Sequence, residues 1–214
     1  LAGSAAIPAF HSGKLLYARH AGQRIVSLVE EGISIRKIIT RESLENALMV
    51  SLAIGGSTNV TLHLPAIAHE LGIKLPLTRF NDYNSIIPTL CGISPNGPHG
   101  MIDLFVAGGI PAVMKMLGDN LHRDPLTVSG MCIGDIIDQA EVKNATVIPD
   151  KAHAFKLEGG TAVLFGSLAP EGAVVKQSGV AEHMRVFTGP ARVFDAESDV
   201  LAAIRNKTLN EGEV

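Results

Sequence analysis

The segment ENALMVSLAIGGSTNVTLHLPAIAHELGI, residues 45–73, contains two apolar, helix-forming runs that are joined by a Gly-Gly turn. Leucines recur at a spacing of four in the first run, which places them on one face of a helix. This helix is predicted over residues 41–54, with Thr40 as its N-cap. The second run is predicted to form a helix that ends at Gly72. The segment therefore predicts two consecutive helices that a short glycine turn separates.

The chain on either side of this segment continues the helical pattern as far as about residue 140. Residues 88–100 interrupt it, because three prolines and three glycines favour a loop there. Residues 126–128 are predicted to form a short strand. Further helices are predicted over residues 12–31, 78–86, 101–107, 111–117 and 131–140.

The pattern changes at about residue 155, where β-prone runs separated by Gly and Pro turns replace the helices. We place a domain boundary between residues 141 and 157, where the sequence is typical of a linker. The chemistry of the residues alone therefore predicts an α/β fold class. Strands are predicted over residues 161–165, 173–176 and 191–195, and a helix over residues 196–205.

The composition excludes several classes of protein. Of the 214 residues, 46% are hydrophobic and 18% are charged, which permits a sizeable core and argues against a disordered chain. The net charge of -3 gives no reason to expect nucleic acid or an anionic membrane as a partner. No apolar run approaches the roughly 18 residues that a membrane span needs, and no signal peptide is evident. Both ends are expected to be cut, because the chain begins without Met in an apolar phrase and ends just after a helical pattern.

The GGSTN turn, residues 55–59, is a candidate for binding chemistry. Glycine permits a tight turn, and Ser57, Thr58 and Asn59 could cap the helix that follows. The N–H groups at the start of that helix could also hold an anion. Capping alone is the alternative interpretation, and the residues themselves leave both open.

The histidines and cysteines form no recognisable metal-binding motif. His63 and His69 are six residues apart and so do not share a helix face, although His63 could face the same side as the turn. Cys91 could act as a nucleophile if a base such as His99 lay close, but a buried thiol is the alternative. Cys132 is predicted to be a core residue. Two separate cysteines without a CxxC motif indicate a reducing, intracellular environment rather than a disulfide framework.

Several phrases occur in the order found in one enzyme family. Together they resemble the dihydroxy-acid dehydratases and the related phosphogluconate and sugar-acid dehydratases, and the resemblance covers essentially the whole chain. The runs from IPTLC to NGPHGM and AVVKQ are more similar to the dihydroxy-acid branch. The phrases are LAGSAAIPAF (residues 1–10), the segment at residues 45–73, IPTLCGISPNG (87–97), AGGIPAVMK (107–115), GGTAVLFGSLAPEGAVVKQSGV (159–180) and GPARVFDAE (189–197).

The resemblance implies a hydro-lyase that converts a 2,3-dihydroxy acid to a 2-keto acid in branched-chain amino-acid synthesis. In this family an iron–sulfur cluster acts as a Lewis acid on the departing hydroxyl, and a magnesium ion (Mg2+) holds the acid's oxygens. A serine alkoxide is the proposed base. The resemblance also implies a small-molecule dihydroxy-acid substrate, a homodimer or larger homo-oligomer, and a cytoplasmic location.

The same resemblance implies that the family's catalytic centre lies outside this chain. In this family the cluster cysteines and most magnesium ligands lie upstream, in CDK and G-x-C-x-G motifs. This chain contains no CDK motif, and its one G-x-C-x-G match, GMCIG at residues 130–134, lies downstream of the GGSTN turn rather than in that upstream position. Cys91 and Cys132 match none of the cluster positions, and the serine base is expected in a downstream motif. We therefore predict no catalytic or metal-binding residue in this chain, and we predict that Ser57, Thr58 and Asn59 border the substrate pocket.

The implied architecture has two parts. Residues 1–150 resemble the later part of the family's α/β N-terminal domain, and residues 155–214 resemble the start of its β-rich, swivelling barrel-like C-terminal domain. The chain alone is predicted to be inactive. Two alternatives remain open, namely the same fold acting on a sugar acid (an aldonate or phosphogluconate) and a non-catalytic binding or assembly fragment.

Overall fold

The computed structural model describes residues 1–213 and is mostly helical, with one small sheet. The ends of the predicted helices agree with the structure to within two residues. The helices are α1 (Gly13–Glu30), α2 (Ile35–Ile38), α3 (Arg41–Ala53), α4 (Val60–Glu70), α5 (Thr78–Asn84), α6 (Met101–Val106), α7 (Gly109–Leu117), α8 (Ile133–Gln139) and α9 (Glu197–Arg205). The strands are β1 (Ala162–Leu164) and β2 (Ala173–Val175).

Helix α3 begins at a capping box and ends at a glycine. The hydroxyl of Thr40 accepts a hydrogen bond from the N–H of Ser43 at 3.2 Å, and the Ser43 hydroxyl accepts from the N–H of Thr40 at 2.9 Å. Thr40 is therefore the N-cap that the sequence predicts. Beyond the other end, Gly55 has a φ of +59°, a left-handed conformation that favours glycine because it has no Cβ.

The hydrophobic core surrounds α3 and α7, which contact each other. Helix α5 and β1 close one side of this core, and α6 and α8 contact α7. Burying a large apolar side chain contributes roughly 1.5–3 kcal/mol, so the buried side chains of this core dominate the stability of the fold. The largest fully buried side chains include Leu48, Leu52, Phe80, Leu104, Leu117 and Ile148.

The two strands form an antiparallel pair that is attached to α5. Val163 of β1 lies opposite Val174 and is 3% exposed. The side-chain amide of Asn81 donates to the carbonyl of Val163 at 2.7 Å and accepts from its N–H at 2.8 Å. An asparagine on α5 thus supplies the hydrogen bonds that a third strand would otherwise make.

Two predicted strands do not form. At residues 126–128 only a single bridge is present, between Leu126 and Cys132, because residues 127–131 turn back on themselves. Residues 191–195 have no regular secondary structure, and the side chain of Val193 is 84% exposed. Within residues 1–213 neither run has a neighbouring strand to complete a ladder, and alternation alone does not supply one.

The chain separates into two compact units, of which the first comprises residues 1–179 and the second begins at Val180. The second unit contains α9, and its Arg192 guanidinium donates to the carbonyl of Thr208 at 3.0 Å. None of the helices in residues 1–213 combines the length and the hydropathy that crossing a bilayer would require.

Candidate functional site

Two backbone hydrogen bonds connect the start of the GGSTN turn to the last turn of α3. The N–H of Gly55 donates to the carbonyl of Leu52 at 3.2 Å, and the N–H of Gly56 donates to that of Ser51 at 2.8 Å. A Cβ added at Gly56 would lie 2.5 Å from the Ser51 hydroxyl oxygen. The positive φ of Gly55 favours glycine there, and a side chain at Gly56 would force Ser51 to shift.

A second glycine pair packs directly against the turn. The N–H of Gly160 donates to the carbonyl of Leu52 at 3.1 Å, and a Cβ at Gly160 would lie only 2.6 Å from the Cα of Gly55. Ser178 closes the contact, since its N–H donates to the carbonyl of Gly160 at 3.2 Å. The turn is thus held in place by backbone that lies about a hundred residues further along the chain.

The three polar residues of the turn bond mainly to their own neighbourhood. The hydroxyl of Ser57 accepts from the N–H of Asn59 at 3.2 Å, and the hydroxyl of Thr61 donates to the carbonyl of Thr58 at 2.7 Å. Asn59 occupies the N-cap position of α4, but its side chain makes no capping hydrogen bond. Of the three residues that the sequence offered as possible caps, Asn59 therefore does not cap the helix with its side chain.

The N–H groups at the start of α4 are already used. Those of Val60 and Thr61 donate to the carbonyls of Ser57 and Thr58 at 3.1 and 3.0 Å. Those of Leu62 and His63 both donate to the carbonyl of Asn59, at 3.1 and 3.0 Å. These backbone hydrogen bonds occupy the donors that an anion would need, so the geometry gives no support to anion binding at the start of α4.

A mainly apolar groove of about 480 Å³ opens beside the turn. The hydroxyl-bearing Ser57 lies on its rim and is exposed, whereas Thr58 and Asn59 are not among the residues that line it. Such a groove suits a small ligand with an apolar part and a few hydroxyl or carboxyl oxygens. Its polar lining residues are Ser43, Asn46, Ser51 and Ser57, and its apolar ones include Val50, Ile54, Val60, Ile110, Met114 and Ile133.

Asn46 in the groove wall is fixed by a two-way hydrogen bond. Its amide donates to the carbonyl of His122 at 2.8 Å, and its carbonyl oxygen accepts from the N–H of His122 at 2.8 Å. Both ends of the amide are used in this pairing, so Asn46 stabilises the wall rather than offering a ligand its full hydrogen-bonding capacity.

A buried carboxylate, Glu45, lies behind this wall. Its two oxygens accept from Arg79 at 3.0 Å and interact with the His122 ring nitrogen at 3.1 Å, while its side chain is 5% exposed. Burial acts to raise the pKa of Glu45, but hydrogen bonds from Tyr83, Arg79 and His122 outweigh it and lower the pKa below its ordinary value. In turn, burial and the Glu45 carboxylate raise the pKa of Tyr83 to about 12. The cluster joins α3, α5 and the chain before α8.

Glu45 lies early in α3, where the helix dipole also favours a carboxylate, and its sequence neighbours do not reveal its partners. Its partners lie 34 to 77 residues away in sequence. No local spacing links such residues. The available signal was a charged residue within an otherwise apolar helical run, which predicts a buried partner of opposite charge.

The two cysteines lie in different surroundings. Cys91 is 1% exposed, and burial raises the pKa of its thiol to about 12, which opposes thiolate formation. His99 lines a shallow pocket at the surface with His153, and Cys91 is not part of that pocket. Cys132 is partly exposed at the start of α8. The prediction of a core position is therefore wrong for Cys132, and a buried thiol is the interpretation that fits Cys91.

The remaining donors do not fit the cofactors that the family resemblance implies. Across residues 1–213, no three His, Cys, Asp or Glu side chains are grouped so that they could hold a metal ion. An iron–sulfur cluster needs several thiolates together, and Cys91 and Cys132 do not supply them. His63 is exposed and does not line the groove.

Comparison with known families matches both parts of the chain. The family model described as "Dihydroxy-acid/6-phosphogluconate dehydratase N-terminal" matches residues 1–136. The corresponding "Dihydroxy-acid/6-phosphogluconate dehydratase C-terminal" model matches residues 146–214.

Curated proteins of known name align along the entire chain. It is 45% identical to dihydroxy-acid dehydratase 1 of Methanosarcina acetivorans, and 47% identical to the dihydroxy-acid dehydratases of Methanococcoides burtonii and Ignicoccus hospitalis. Each alignment covers 100% of this chain but only 39% of the relative. The chain thus spans about two fifths of the length of these relatives.

Proposed function

Because this chain belongs to the dihydroxy-acid/6-phosphogluconate dehydratase family, we propose that it forms part of a hydro-lyase that converts a 2,3-dihydroxy acid to a 2-keto acid. The observation that carries this proposal is the identity of 45–47% along the whole chain to proteins named dihydroxy-acid dehydratase. The chain spans 39% of those relatives, so the reaction is proposed for the whole protein. The whole protein would act in branched-chain amino-acid synthesis and would be located in the cytoplasm.

We propose that residues 1–150 are the later part of the N-terminal α/β domain and that residues 155–214 begin the β-rich, barrel-like C-terminal domain. The ranges matched by the two family models, which leave residues 137–145 between them, support this division. The hairpin of β1 and β2 would be the first element of the second domain. The full sheet would then require strands from the rest of the protein.

We propose that the GGSTN turn borders the substrate pocket through Ser57, Thr58 and Asn59. Support comes from Ser57, which is exposed and lines a mainly apolar groove, while Gly160 packs against Gly55 of the same turn. The iron–sulfur cluster and the magnesium ion would be held by other parts of the whole protein. This chain would then supply one wall of the pocket and the scaffold behind it.

A test of the site uses the whole protein and the Ser57→Ala variant. If Ser57 contacts substrate, the variant should raise KM severalfold, because one hydrogen bond to a ligand is worth about 0.5–1.5 kcal/mol. Ser167→Ala, at an exposed bend far from the groove lining in sequence, serves as the control. Identical kinetic constants for the Ser57 variant and the unaltered protein would contradict the assignment.

A second candidate, dehydration of a sugar acid, is favoured by one observation. The matching family models cover 6-phosphogluconate dehydratases as well as the dihydroxy-acid enzymes. Turnover of the whole protein on a branched 2,3-dihydroxy acid and on an aldonate or phosphogluconate would separate the two. Preference for the sugar acid would overturn the first proposal.

The activity of the 214-residue chain alone is a separate question. We expect it to produce no keto acid when iron, sulfide and magnesium are supplied, because the sequence contains no CDK motif and has only two cysteines, fewer than an iron–sulfur cluster needs. The measurement is keto-acid formation by the purified chain beside the whole protein. Turnover by the chain alone would show that its own residues can assemble the centre.

A further inference from the structure

Helix α1 carries an apolar stripe on its outer surface. Leu15, Ile25 and Val29 are 79%, 59% and 75% exposed, and Ala18 and Gly22 between them are exposed as well. The five residues follow one another at alternating spacings of three and four, the repeat by which helices pair side by side. Exposed large apolar side chains grouped in this way mark an interaction surface.

The stripe faces away from the unit to which α1 belongs. The residues that attach α1 lie on its other side, where Leu28 is buried and the Arg24 guanidinium donates to the carbonyl of Val128 at 2.7 Å. At about 100° per residue, Leu28 and Arg24 lie more than a quarter turn from the line through Gly22 and Val29. The stripe is thus left without a partner among residues 1–213.

The order of side-chain sizes along the stripe selects one partner orientation. The small residues Ala18 and Gly22 precede the large residues Ile25 and Val29. In an antiparallel copy of α1, Gly22 faces Ile25 and Ala18 faces Val29, so each layer joins a small side chain to a large one. A parallel copy would set small against small and leave gaps, which weakens packing.

Charge favours the same orientation. Arg19 and Glu30 lie about 20° apart around the helix axis, on one flank of the stripe. Both are exposed, and neither has an ion-pair partner among the described residues. When Gly22 faces Ile25 of an antiparallel copy, Arg19 of each helix lies within about 3 Å, along the axis, of Glu30 on the other. In a parallel pair the two-fold axis runs along the helices and sets this flank on opposite sides of the interface in the two copies, so the Arg19–Glu30 pairing does not form.

We propose that α1 is an interface between two copies of this chain, which pack antiparallel about a two-fold axis. The contact is isologous, so the same residues serve both copies. One helix pair is smaller than the roughly 1,200–2,000 Å² of a standard interface, and the dimer is therefore weak and dependent on concentration. This inference does not rest on the proposed function.

The first test is sedimentation equilibrium of the 214-residue chain over a wide range of concentrations. A monomer–dimer equilibrium is expected, and Ile25→Lys should weaken it more than tenfold, since it inserts a charge into the central layer. The matched control is Leu16→Lys, which alters an equally exposed leucine outside the stripe. A chain that stays monomeric at every concentration would overturn the proposal.

The second test uses charge reversal and distinguishes this interface from any other. Arg19→Glu alone and Glu30→Arg alone should each raise the dimer Kd about fivefold, because each sets like charges opposite one another. The double variant should return the Kd to near its original value. Far-UV circular dichroism checks that α1 stays folded in every variant. An antiparallel α1 contact is contradicted if the single and double variants change the dimer Kd equally, or if none of them changes it. It is also contradicted if other segments of the whole protein cover the apolar stripe of α1.

Discussion

At the scale of single residues, the backbone of the GGSTN turn approaches that of Gly160 closely. A Cβ at Gly160 would lie 2.6 Å from the Cα of Gly55, which is backbone and cannot move aside. We expect Gly160→Ala to lower the free energy of unfolding by about 2–4 kcal/mol. Urea denaturation measures this difference.

The control for this prediction is Gly166→Ala. Gly166 lies at an exposed bend, and a Cβ there would meet nothing within 4 Å. The variant should change stability by no more than about 0.5 kcal/mol. Equal stability of the two variants would show that the packing of Gly160 against Gly55 is looser than described.

The two thiols offer a second prediction at this scale. Cys91 is 1% exposed with a thiol pKa of about 12, whereas Cys132 is partly exposed. In the native chain at pH 8 we expect one thiol to react quickly with an aromatic disulfide reagent and the other to react only on unfolding.

Cys132→Ser identifies which thiol is which. This variant should show no fast reaction in the native state and a single thiol in denaturant. Fast modification of the Cys132→Ser protein would mean that the loop around Cys91 opens readily.

At the scale of elements, α1 and α3 both begin at a hydroxyl residue but differ in capping. Thr40 accepts a hydrogen bond from Ser43 at the start of α3, whereas Ser12 at the start of α1 makes no capping bond. We expect Thr40→Ala to cost about 1 kcal/mol and Ser12→Ala to cost almost nothing. Thermal unfolding of both variants checks the difference, and an equal loss at both positions would contradict it.

The helices could be predicted from the sequence because their signals are local. The Thr40 cap and the glycines Gly55 and Gly72, both with positive φ, fix helix ends whatever lies around them. Strands depend on neighbours that a single run does not contain. Residues 161–165 pair with residues 173–176 across a single loop, residues 165–172, whereas residues 191–195 have no partner strand within residues 1–213.

At the scale of the whole molecule, the candidate site could be located but not described from the sequence. The glycines and hydroxyls of GGSTN indicated a turn with binding chemistry, and the structure places Ser57 on a groove. The first N–H groups of α4 donate to backbone carbonyls of the turn itself. This depends on the backbone conformation of the first turn of the helix, which the residue pattern does not reveal. The Glu45 cluster was missed altogether, because its members meet only when α3 and α5 pack together.

That cluster makes the stability of the whole unit depend on pH in both directions. The pKa of Glu45 is lowered in the folded chain, so its contribution is present above the ordinary carboxyl range and is lost as the pH falls through the lower, folded value. The pKa of Tyr83 is raised from 10.0 to about 12, so its contribution is present below pH 10 and is lost between pH 10 and 12. Cys91, raised to about 12 by burial, adds to the alkaline loss.

Glu45→Gln isolates the acid limb, which is the loss of folding stability as the pH falls, from the loss of stability at alkaline pH. The variant should lose about 1–3 kcal/mol at pH 7, because Arg79 and His122 then face an uncharged partner, and its stability should fall less steeply below pH 5. Tyr83→Phe should also make the acid limb less steep, because it removes one of the hydrogen bonds that lower the pKa of Glu45. It should flatten only part of the alkaline loss, since Cys91 still titrates. Glu70→Gln, at an exposed carboxylate without an ion pair in the described chain, is the matched control. Urea titrations from pH 3 to 11 measure all three, and an acid limb that is equally steep in the Glu45 and Glu70 variants would show that the cluster does not link α3 to α5 through its charge.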